Sequence, residues 1–249
     1  MTRLVDCRPR AAYESGHLPG AVHLDPEHDL SAHVEDAAVG GRHPLPDPET
    51  LASAFGAAGI DESTFVLAYD EGTGWAARCW WLLRHLGHDA CGTFDLRSYS
   101  GPRRRGGAAD NACVAETQAL SSPRASPVTF IPRVRTDDLI AADEILARLE
   151  DSSLVLLDAR SPERWRGDTE PLDPVAGRIP GARNAFFEEP LPPGATDPDE
   201  LVAYCGSGVT ACVTVQRLVV AGREDARLYP GSFSEWCRNP SNPIERGDA

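Results

Sequence analysis

One cysteine stands in a sequence context that suits nucleophilic chemistry. Residues 202–215 read VAYCGSGVTACVTV, so Cys205 is followed by the small residues Gly206, Ser207 and Gly208. Glycines at such a turn let backbone N–H groups approach a sulfur closely, and these groups stabilise a thiolate or bind an anion. A free cysteine is more often a buried structural residue, but a structural cysteine needs no backbone cradle. We therefore predict that Cys205 is a nucleophile held at an anion-binding loop.

The residues on either side of Cys205 predict the elements that must position it. The preceding run LVAY is typical of a buried strand, and the following VTACVTVQRLVVAG has apolar residues at helical spacing as far as Gly222. Cys205 would then lie in a strand-to-helix turn, where loop amides and the helix N-terminus converge on the sulfur. Cys212 lies about two turns further along this helix, and we predict that it belongs to the core.

The chain contains the same landmarks twice, in the same order. Each half alternates strands with helices, which predicts the α/β class, with two tandem domains that each have a mainly parallel sheet flanked by helices. Ligands of such sheets bind beyond the carboxyl ends of the strands, where Cys205 would lie. The corresponding segments are LVDCR (4–8) with LLDAR (156–160), GHLPGA (16–21) with GRIPGA (177–182), and VLAYD (66–70) with LVAYC (201–205).

The two halves also differ in ways that predict different roles. Asp70 stands in the first half where Cys205 stands in the second, so only the second half would carry the nucleophile. The second half has about half as many residues between its PGA motif and its strand-turn-helix, which predicts that it lacks a helix-containing segment there. A stretch rich in Pro, Ser, Gly and Arg separates the halves. We predict an N-terminal domain over 1–118, a linker over 119–132 and a C-terminal catalytic domain over 133–249.

Composition excludes several functional classes. The chain has 249 residues, and 41% of them are hydrophobic, as is typical of a globular protein. Its net charge of −14 argues against a nucleic-acid partner. It contains no lysine, so neither a lysine Schiff base nor a P-loop lysine is available. We expect no membrane partner, because no apolar run is long enough to span a bilayer. The seven cysteines show no CxxC pair or metal-ligand spacing, so we expect a reducing cytoplasm, no metal and no cofactor.

These features together resemble the two-domain rhodanese family of sulfurtransferases. The tandem D-x-R and P-G-A motifs, with Asp70 in the first half and Cys205 in the second, extend over nearly the whole chain. The resemblance implies two rhodanese-like domains and a ping-pong reaction in which Cys205 carries a persulfide. The sulfur would come from 3-mercaptopyruvate or thiosulfate and pass to cyanide, a thiol or a thioredoxin-like reductant. The resemblance also implies a monomer.

The loop after Cys205 is similar to that of the 3-mercaptopyruvate branch of the family, because it lacks the basic residues that are general in the thiosulfate branch. The backbone of this loop would hold the persulfide and an anionic donor without any cation. Hydroxyl groups at two of its positions could add hydrogen bonds. The substrate-binding residues that we predict here are Gly206, Gly208, Val209 and Thr210, with Ser207 as a catalytic residue.

The resemblance further implies a proton relay that ends at the loop serine, Ser207. In the 3-mercaptopyruvate branch a histidine and an acidic residue of the first domain reach this serine. The histidine that matches best is His43 in GGRHPLP, and the acid is either Asp25 or Glu27 in GAVHLDPEHDL.

The same branch binds the pyruvate carboxylate with two arginines. Arg164 in SPERWRG matches the first and suits a bidentate carboxylate contact. The second arginine has no counterpart, since Leu172 falls near its place, and Arg178 or Arg166 could compensate. This departure keeps thiosulfate open as the donor.

Two other functions compete with sulfur transfer. A phosphatase of the same fold needs an arginine six positions after the cysteine, and Ala211 stands there instead. A non-catalytic persulfide carrier or interaction module would explain the shortened second half. Retention of the loop glycines and of Ser207 favours an enzyme.

Overall fold

A computed structural model describes residues 1–103 and 126–248, and the chain divides into two units. The first unit comprises Met1–Ser31 and Pro46–Val134, and the second comprises Ala32–Leu45 and Arg135–Ala249. This division differs from the predicted boundaries, because Ala32–Leu45 lies in the first half of the sequence but groups with the second unit. Within the two described ranges, no helix is both long and apolar enough to cross a membrane.

The first unit is built on a four-stranded sheet in which every pairing is parallel, as predicted. The strand order is β2-β1-β3-β4. Asp47 starts the longest helix before the third strand, because its side chain accepts from the amides of Glu49 and Thr50. The elements are β1 (Thr2–Asp6), α1 (Arg10–Ser15), β2 (Val22–His23), α2 (Pro48–Ala57), β3 (Phe65–Asp70), α3 (Trp75–His85) and β4 (Cys91–Asp95).

The second unit repeats this plan with a parallel sheet in the order β6-β5-β7-β8. No helix lies between its second and third strands in chain order, whereas α2 occupies that place in the first unit, so the predicted loss of a helical segment is confirmed. The elements are α4 (Ala142–Ala147), β5 (Leu154–Asp158), α5 (Pro162–Arg166), β6 (Arg183–Asn184), β7 (Glu200–Tyr204), α6 (Ala211–Val220), β8 (Arg227–Leu228) and α7 (Ser232–Trp236).

The core of the second unit packs the sheet against aromatic side chains from the C-terminal part of the chain. Tyr204 of β7 is buried together with Phe233 and Trp236 of α7. Burial of each such side chain contributes about 1.5–3 kcal/mol to the free energy of folding. The Nε1 of Trp236 donates to the carbonyl of Pro243 at 2.8 Å, which ties this side chain to the C-terminal loop.

The D-x-R pairs hold the ends of the first strands of both sheets. Arg8 contacts Asp6 at 2.7 Å and donates to the carbonyl of Gly16, and Arg160 does the same with Asp158 at 2.6 Å and the carbonyl of Gly177. All four side chains are almost fully buried. A buried ion pair with its hydrogen bonds satisfied fixes geometry more than it adds stability. These pairs therefore have a structural role at the strand ends.

The end of the predicted linker packs on the first unit. The amide of Val128 donates to the carbonyl of Gly56 at 3.0 Å, and Phe130 is buried against Phe55 with 5.3 Å between ring centroids. The earlier linker residues 119–125 fall outside the described part of the chain, as does Cys113.

Candidate active site

Cys205 lies in a strand-to-helix turn, as the sequence predicts. It directly follows β7, and α6 begins at Ala211. The side chain is only 2% exposed, so the sulfur lies inside the loop. The amide of Gly208 donates to Sγ at 3.2 Å, while the amide of Cys205 itself donates to Oγ of Ser232 at 3.1 Å. A backbone N–H thus points at the sulfur, so the loop offers a hydrogen-bond donor to an anion at this position.

The loop needs glycine at Gly208 for two separate reasons. Its φ of 78° lies in the left-handed region, and a Cβ atom would clash with the carbonyl of Pro230. Ser207 and Val209 are buried, and Thr210 is partly exposed at the start of α6. No side chain caps this helix at Thr210, so its N-terminal dipole is directed to the loop without a competing side-chain oxygen.

His43 contacts the loop serine. Its Nδ1 lies 2.8 Å from Oγ of Ser207. The segment that carries His43 belongs to the second unit and is bound to α7, since the amide of Gly40 donates to Glu235 at 2.8 Å and the amide of Arg42 donates to Oγ of Ser234 at 3.1 Å. The structure therefore brings together two of the three groups that the resemblance assigns to a relay.

The acidic candidates for this relay lie in the first unit. Asp25 accepts from the amide of Glu27 at 3.1 Å and lies 3.8 Å from His28. The choice between Asp25 and Glu27 stays a prediction.

Two arginines lie beside the residue that follows the cysteine. A Cβ atom at Gly206 would stand 3.0 Å from Nη2 of Arg42 and 3.3 Å from Nη2 of Arg164. Both guanidinium groups are partly exposed, at 22% and 17% of the side chain. Arg164 is aligned by Glu170, which accepts from its Nε at 3.1 Å and from its Nη2 at 2.7 Å. This pair of cations beside the loop can bind an anionic donor in bidentate fashion.

Arg42 is the residue that sequence reasoning missed. The place of the second arginine falls near Leu172, whose side chain is exposed, and the sequence leaves Arg178 or Arg166 as residues that could compensate. Arg178 instead pairs with Glu245 and donates to the carbonyl of Gly247, and Arg166 pairs with Asp168 at 2.8 Å. The available signal was the position of Arg42 directly before His43.

Behind Arg164, a second ion pair extends the network into the core. Arg160 contacts both Asp158 and Glu170, the latter at 3.2 Å. Burial lowers the pKa of Arg160, but the attraction of Asp158 outweighs it, so the pKa is raised overall. Arg160 thus stays charged and holds Glu170 in place under Arg164.

The other cysteines near the site have structural surroundings. Cys212 is fully buried and its Sγ donates to the carbonyl of Gly208 at 3.3 Å, which confirms its predicted place in the core. Burial raises the pKa of the Cys237 thiol, and the charge of Asp173 adds to the effect. A thiol with a raised pKa is a poor nucleophile at neutral pH. Of the three cysteines in this region, Cys205 is therefore the best candidate for the nucleophile.

In the first unit, a carboxylate occupies the equivalent loop. Asp70 accepts from the amides of Gly72 at 2.9 Å and Ala76 at 3.1 Å, and from the hydroxyl of Thr73 at 3.0 Å. This loop also follows a parallel strand and precedes a helix. Two of its backbone N–H groups are thus already bound to the side chain of the loop's own aspartate.

Comparison with known families agrees with the two-unit plan. The sequence matches the rhodanese-like domain over residues 1–99 and again over residues 141–239. The chain belongs to the rhodanese family. Within this family, it has one loop with a cysteine and one with an aspartate at the equivalent position.

Individual relatives bear names from both donor branches. A Pseudomonas aeruginosa protein named "Probable 3-mercaptopyruvate sulfurtransferase" is 43% identical over 95% of this chain and 86% of its own length. A Mycobacterium tuberculosis protein named "Putative thiosulfate sulfurtransferase SseB" is 37% identical over 99% of this chain and 89% of its own. The solved structure of 3-mercaptopyruvate sulfurtransferase from Leishmania major superposes with a TM-score of 0.73 and 25% identity, covering 98% of this chain and 72% of that one.

Proposed function

We propose that this protein is a sulfurtransferase that moves a sulfane sulfur from 3-mercaptopyruvate or thiosulfate to a thiophilic acceptor through a persulfide on Cys205. One observation carries the proposal: Sγ of Cys205 accepts from the Gly208 amide in a loop that two arginines flank at Gly206. This arrangement combines a nucleophile, a cradle for an anion and a recognition site for an anionic donor.

In the first half-reaction the Cys205 thiolate attacks the donor sulfur. With 3-mercaptopyruvate, the new S–S bond forms as the C–S bond breaks, and the electron pair leaves on the enolate of pyruvate. That enolate takes up a proton, for which the contact of Ser207 with His43 offers a path. With thiosulfate, the S–S bond of the donor breaks and sulfite leaves with the electron pair, so no proton is needed.

In the second half-reaction the acceptor attacks the outer sulfur of the persulfide. Cyanide gives thiocyanate, a thiol gives a new persulfide, and in both cases the electron pair of the broken S–S bond returns to Cys205 as a thiolate. A thioredoxin-like dithiol would release the sulfur as sulfide and become a disulfide. The chemistry requires no cofactor, since each step exchanges one bond to sulfur for another.

Arg42 and Arg164 favour a donor with a carboxylate. A guanidinium presents two parallel N–H groups that match the two oxygens of a planar carboxylate. Arg164 is aligned from behind by Glu170, and Arg42 supplies the second cation that the sequence lacks near Leu172. We therefore expect 3-mercaptopyruvate to be the better donor.

Steady-state transfer to cyanide, with 3-mercaptopyruvate and thiosulfate compared on one preparation, tests the choice of donor. A higher kcat/KM with 3-mercaptopyruvate supports recognition by the two arginines. A higher kcat/KM with thiosulfate would contradict it. Persulfide formation without turnover to cyanide would instead favour the carrier function.

The role of Cys205 is tested by replacing it with serine. We expect Cys205→Ser to lose sulfur transfer with both donors. We also expect it to lose the mass increase of about 32 Da that one added sulfur atom gives after donor treatment. The matched control is Cys91→Ser, because Cys91 is a partly buried thiol of the first unit. Full activity of Cys205→Ser would refute the proposal.

We further propose that the protein acts as a monomer in a reducing cytoplasm. All described residues assigned to the site except Asp25 and Glu27 belong to the second unit of a single chain, so a second copy is not needed. The seven cysteines of the sequence show no CxxC pair, which suits a reducing compartment better than a disulfide framework. Light scattering coupled to size exclusion tests the monomer, and a dimer mass would contradict it.

A further inference from the structure

Asp173 connects the two arginines beside the cysteine loop, and no role follows for it from the sulfur-transfer chemistry itself. Its side chain is fully buried. Oδ1 accepts from Nη1 of Arg42 and from Nη1 of Arg238, the latter at 2.9 Å, and Oδ2 lies 3.6 Å from Nη2 of Arg164. Asp173 is thus in contact with both guanidinium groups that stand over Gly206.

A buried carboxylate in this position constrains its partners. Removing a carboxylate from water is costly unless cations or hydrogen bonds compensate for the lost hydration. If Arg42 left this interaction, only Arg238 and the more distant Arg164 would remain to compensate the buried carboxylate, so the contact favours one orientation of the Arg42 guanidinium. Arg238 is held in turn, because its Nη1 also donates to the carbonyl of Ser234 at 2.5 Å.

The charges around the donor site also define what the site can accept. Four guanidinium groups and three carboxylates form this network, so one positive charge is left over. A donor with a single carboxylate neutralises this charge, whereas a dianion such as thiosulfate leaves an excess negative charge. The seven groups are Arg42, Arg160, Arg164, Arg238, Asp158, Glu170 and Asp173.

We propose that Asp173 is a positioning residue that sets the donor selectivity of this site. It holds Arg42 and Arg164 in the geometry that a planar carboxylate requires, and it limits the positive charge offered to a dianionic donor. This inference rests on the proposed function. It predicts that the charge of Asp173, rather than its bulk, decides between the two donors.

The first experiment measures KM and kcat for both donors in full-length Asp173→Asn. Removing one negative charge raises the charge of the site by one unit. We expect KM for thiosulfate to fall about three- to tenfold and KM for 3-mercaptopyruvate to rise or stay constant, because a second charge on the donor feels the added positive charge more. Asp173→Glu keeps the charge, and we expect it to restore most of the wild-type preference.

A second variant shifts the charge the other way. Arg238→Gln removes a cation that contacts Asp173 but does not lie over Gly206. We expect KM for thiosulfate to rise more than KM for 3-mercaptopyruvate, so that the selectivity moves opposite to that of Asp173→Asn. A purely structural role would weaken both donors by the same factor in both variants, and that result would overturn the proposal.

Binding to a catalytically inactive protein separates this inference from the proposed function. Calorimetric titration gives the Kd of pyruvate, a carboxylate monoanion, and the Kd of thiosulfate. Both are measured in full-length Cys205→Ser and in the double variant Cys205→Ser/Asp173→Asn. If Asp173→Asn lowers the Kd of thiosulfate relative to the Kd of pyruvate, the role of Asp173 is supported. If the ratio of the two Kd values is unchanged, the inference is overturned. If the wild type turns over neither donor, the proposed function fails while these titrations still decide the inference.

Discussion

At the scale of single residues, the surroundings of Cys205 come from distant parts of the sequence. Ser232 accepts from its amide, and the contact between Ser207 and His43 joins the loop to a segment more than a hundred residues earlier. These partners are a serine and a histidine, whereas the guanidinium groups of two arginines lie beside the next residue, Gly206. We therefore expect proton transfer and recognition of the donor anion to involve different side chains around this loop.

The contact between Ser207 and His43 leads to a donor-dependent prediction. The pyruvate enolate needs a proton as it leaves and sulfite does not, so loss of the proton path affects one donor only. We expect Ser207→Ala and His43→Gln to lower kcat with 3-mercaptopyruvate about 100-fold, as is usual for loss of general acid catalysis. Steady-state rates with thiosulfate serve as the internal control and should fall less than about tenfold. Equal losses with both donors would argue against a proton path.

At the scale of elements, the turn between β7 and α6 could be predicted, and the arginine beside it could not. The apolar run LVAY, the glycines and the helical spacing after them are local patterns, and they determine where Cys205 lies. Arg42 reaches the same loop only because the backbone of its segment bonds to Glu235 and Ser234. No local pattern reports such non-local hydrogen bonds.

The left-handed glycine of this turn gives a prediction with a matched control. Gly208 and Gly222 both have φ in the left-handed region, but a Cβ atom clashes with Pro230 only at Gly208 and meets nothing within 4 Å at Gly222. We expect Gly222→Ala to cost about 1 kcal/mol and keep full activity. We expect Gly208→Ala to cost about 1–3 kcal/mol and to lose most activity, since the loop must shift.

Thermal unfolding and the rate of sulfur transfer to cyanide, measured on both glycine variants, test this difference. If Gly208→Ala keeps both the stability and the rate of Gly222→Ala, the loop does not depend on that close approach to Pro230.

At the scale of the whole molecule, the chain repeats its framework but not its chemistry. Both units have the same strand order, and in both a buried tyrosine hydroxyl accepts from the amide near the PGA motif, Tyr69 from Leu18 and Tyr204 from Ile179. These repeated features were predictable, because framework residues recur at equivalent positions. The regrouping of Ala32–Leu45 with the second unit was not, because it breaks the repeat.

The loop of the first unit shows why a cysteine alone does not make this site. Asp70 fills its cradle, and Glu71 stands directly after it, where Gly206 in the second unit lies under two arginines. The Glu71 carboxylate already pairs with Arg8 at 3.1 Å and with Arg103 at 3.2 Å, so it occupies the cations that an anionic donor would need there. We therefore expect a Cys205→Ser/Asp70→Cys double variant to transfer no more sulfur from either donor than Cys205→Ser alone. We also expect it to lose about 1–3 kcal/mol of stability, because Asp70 no longer accepts from Gly72 and Ala76. Donor-dependent persulfide formation on the new cysteine, detected by mass spectrometry, would show that the first loop needs only a thiol, and that the arginines over Gly206 are dispensable.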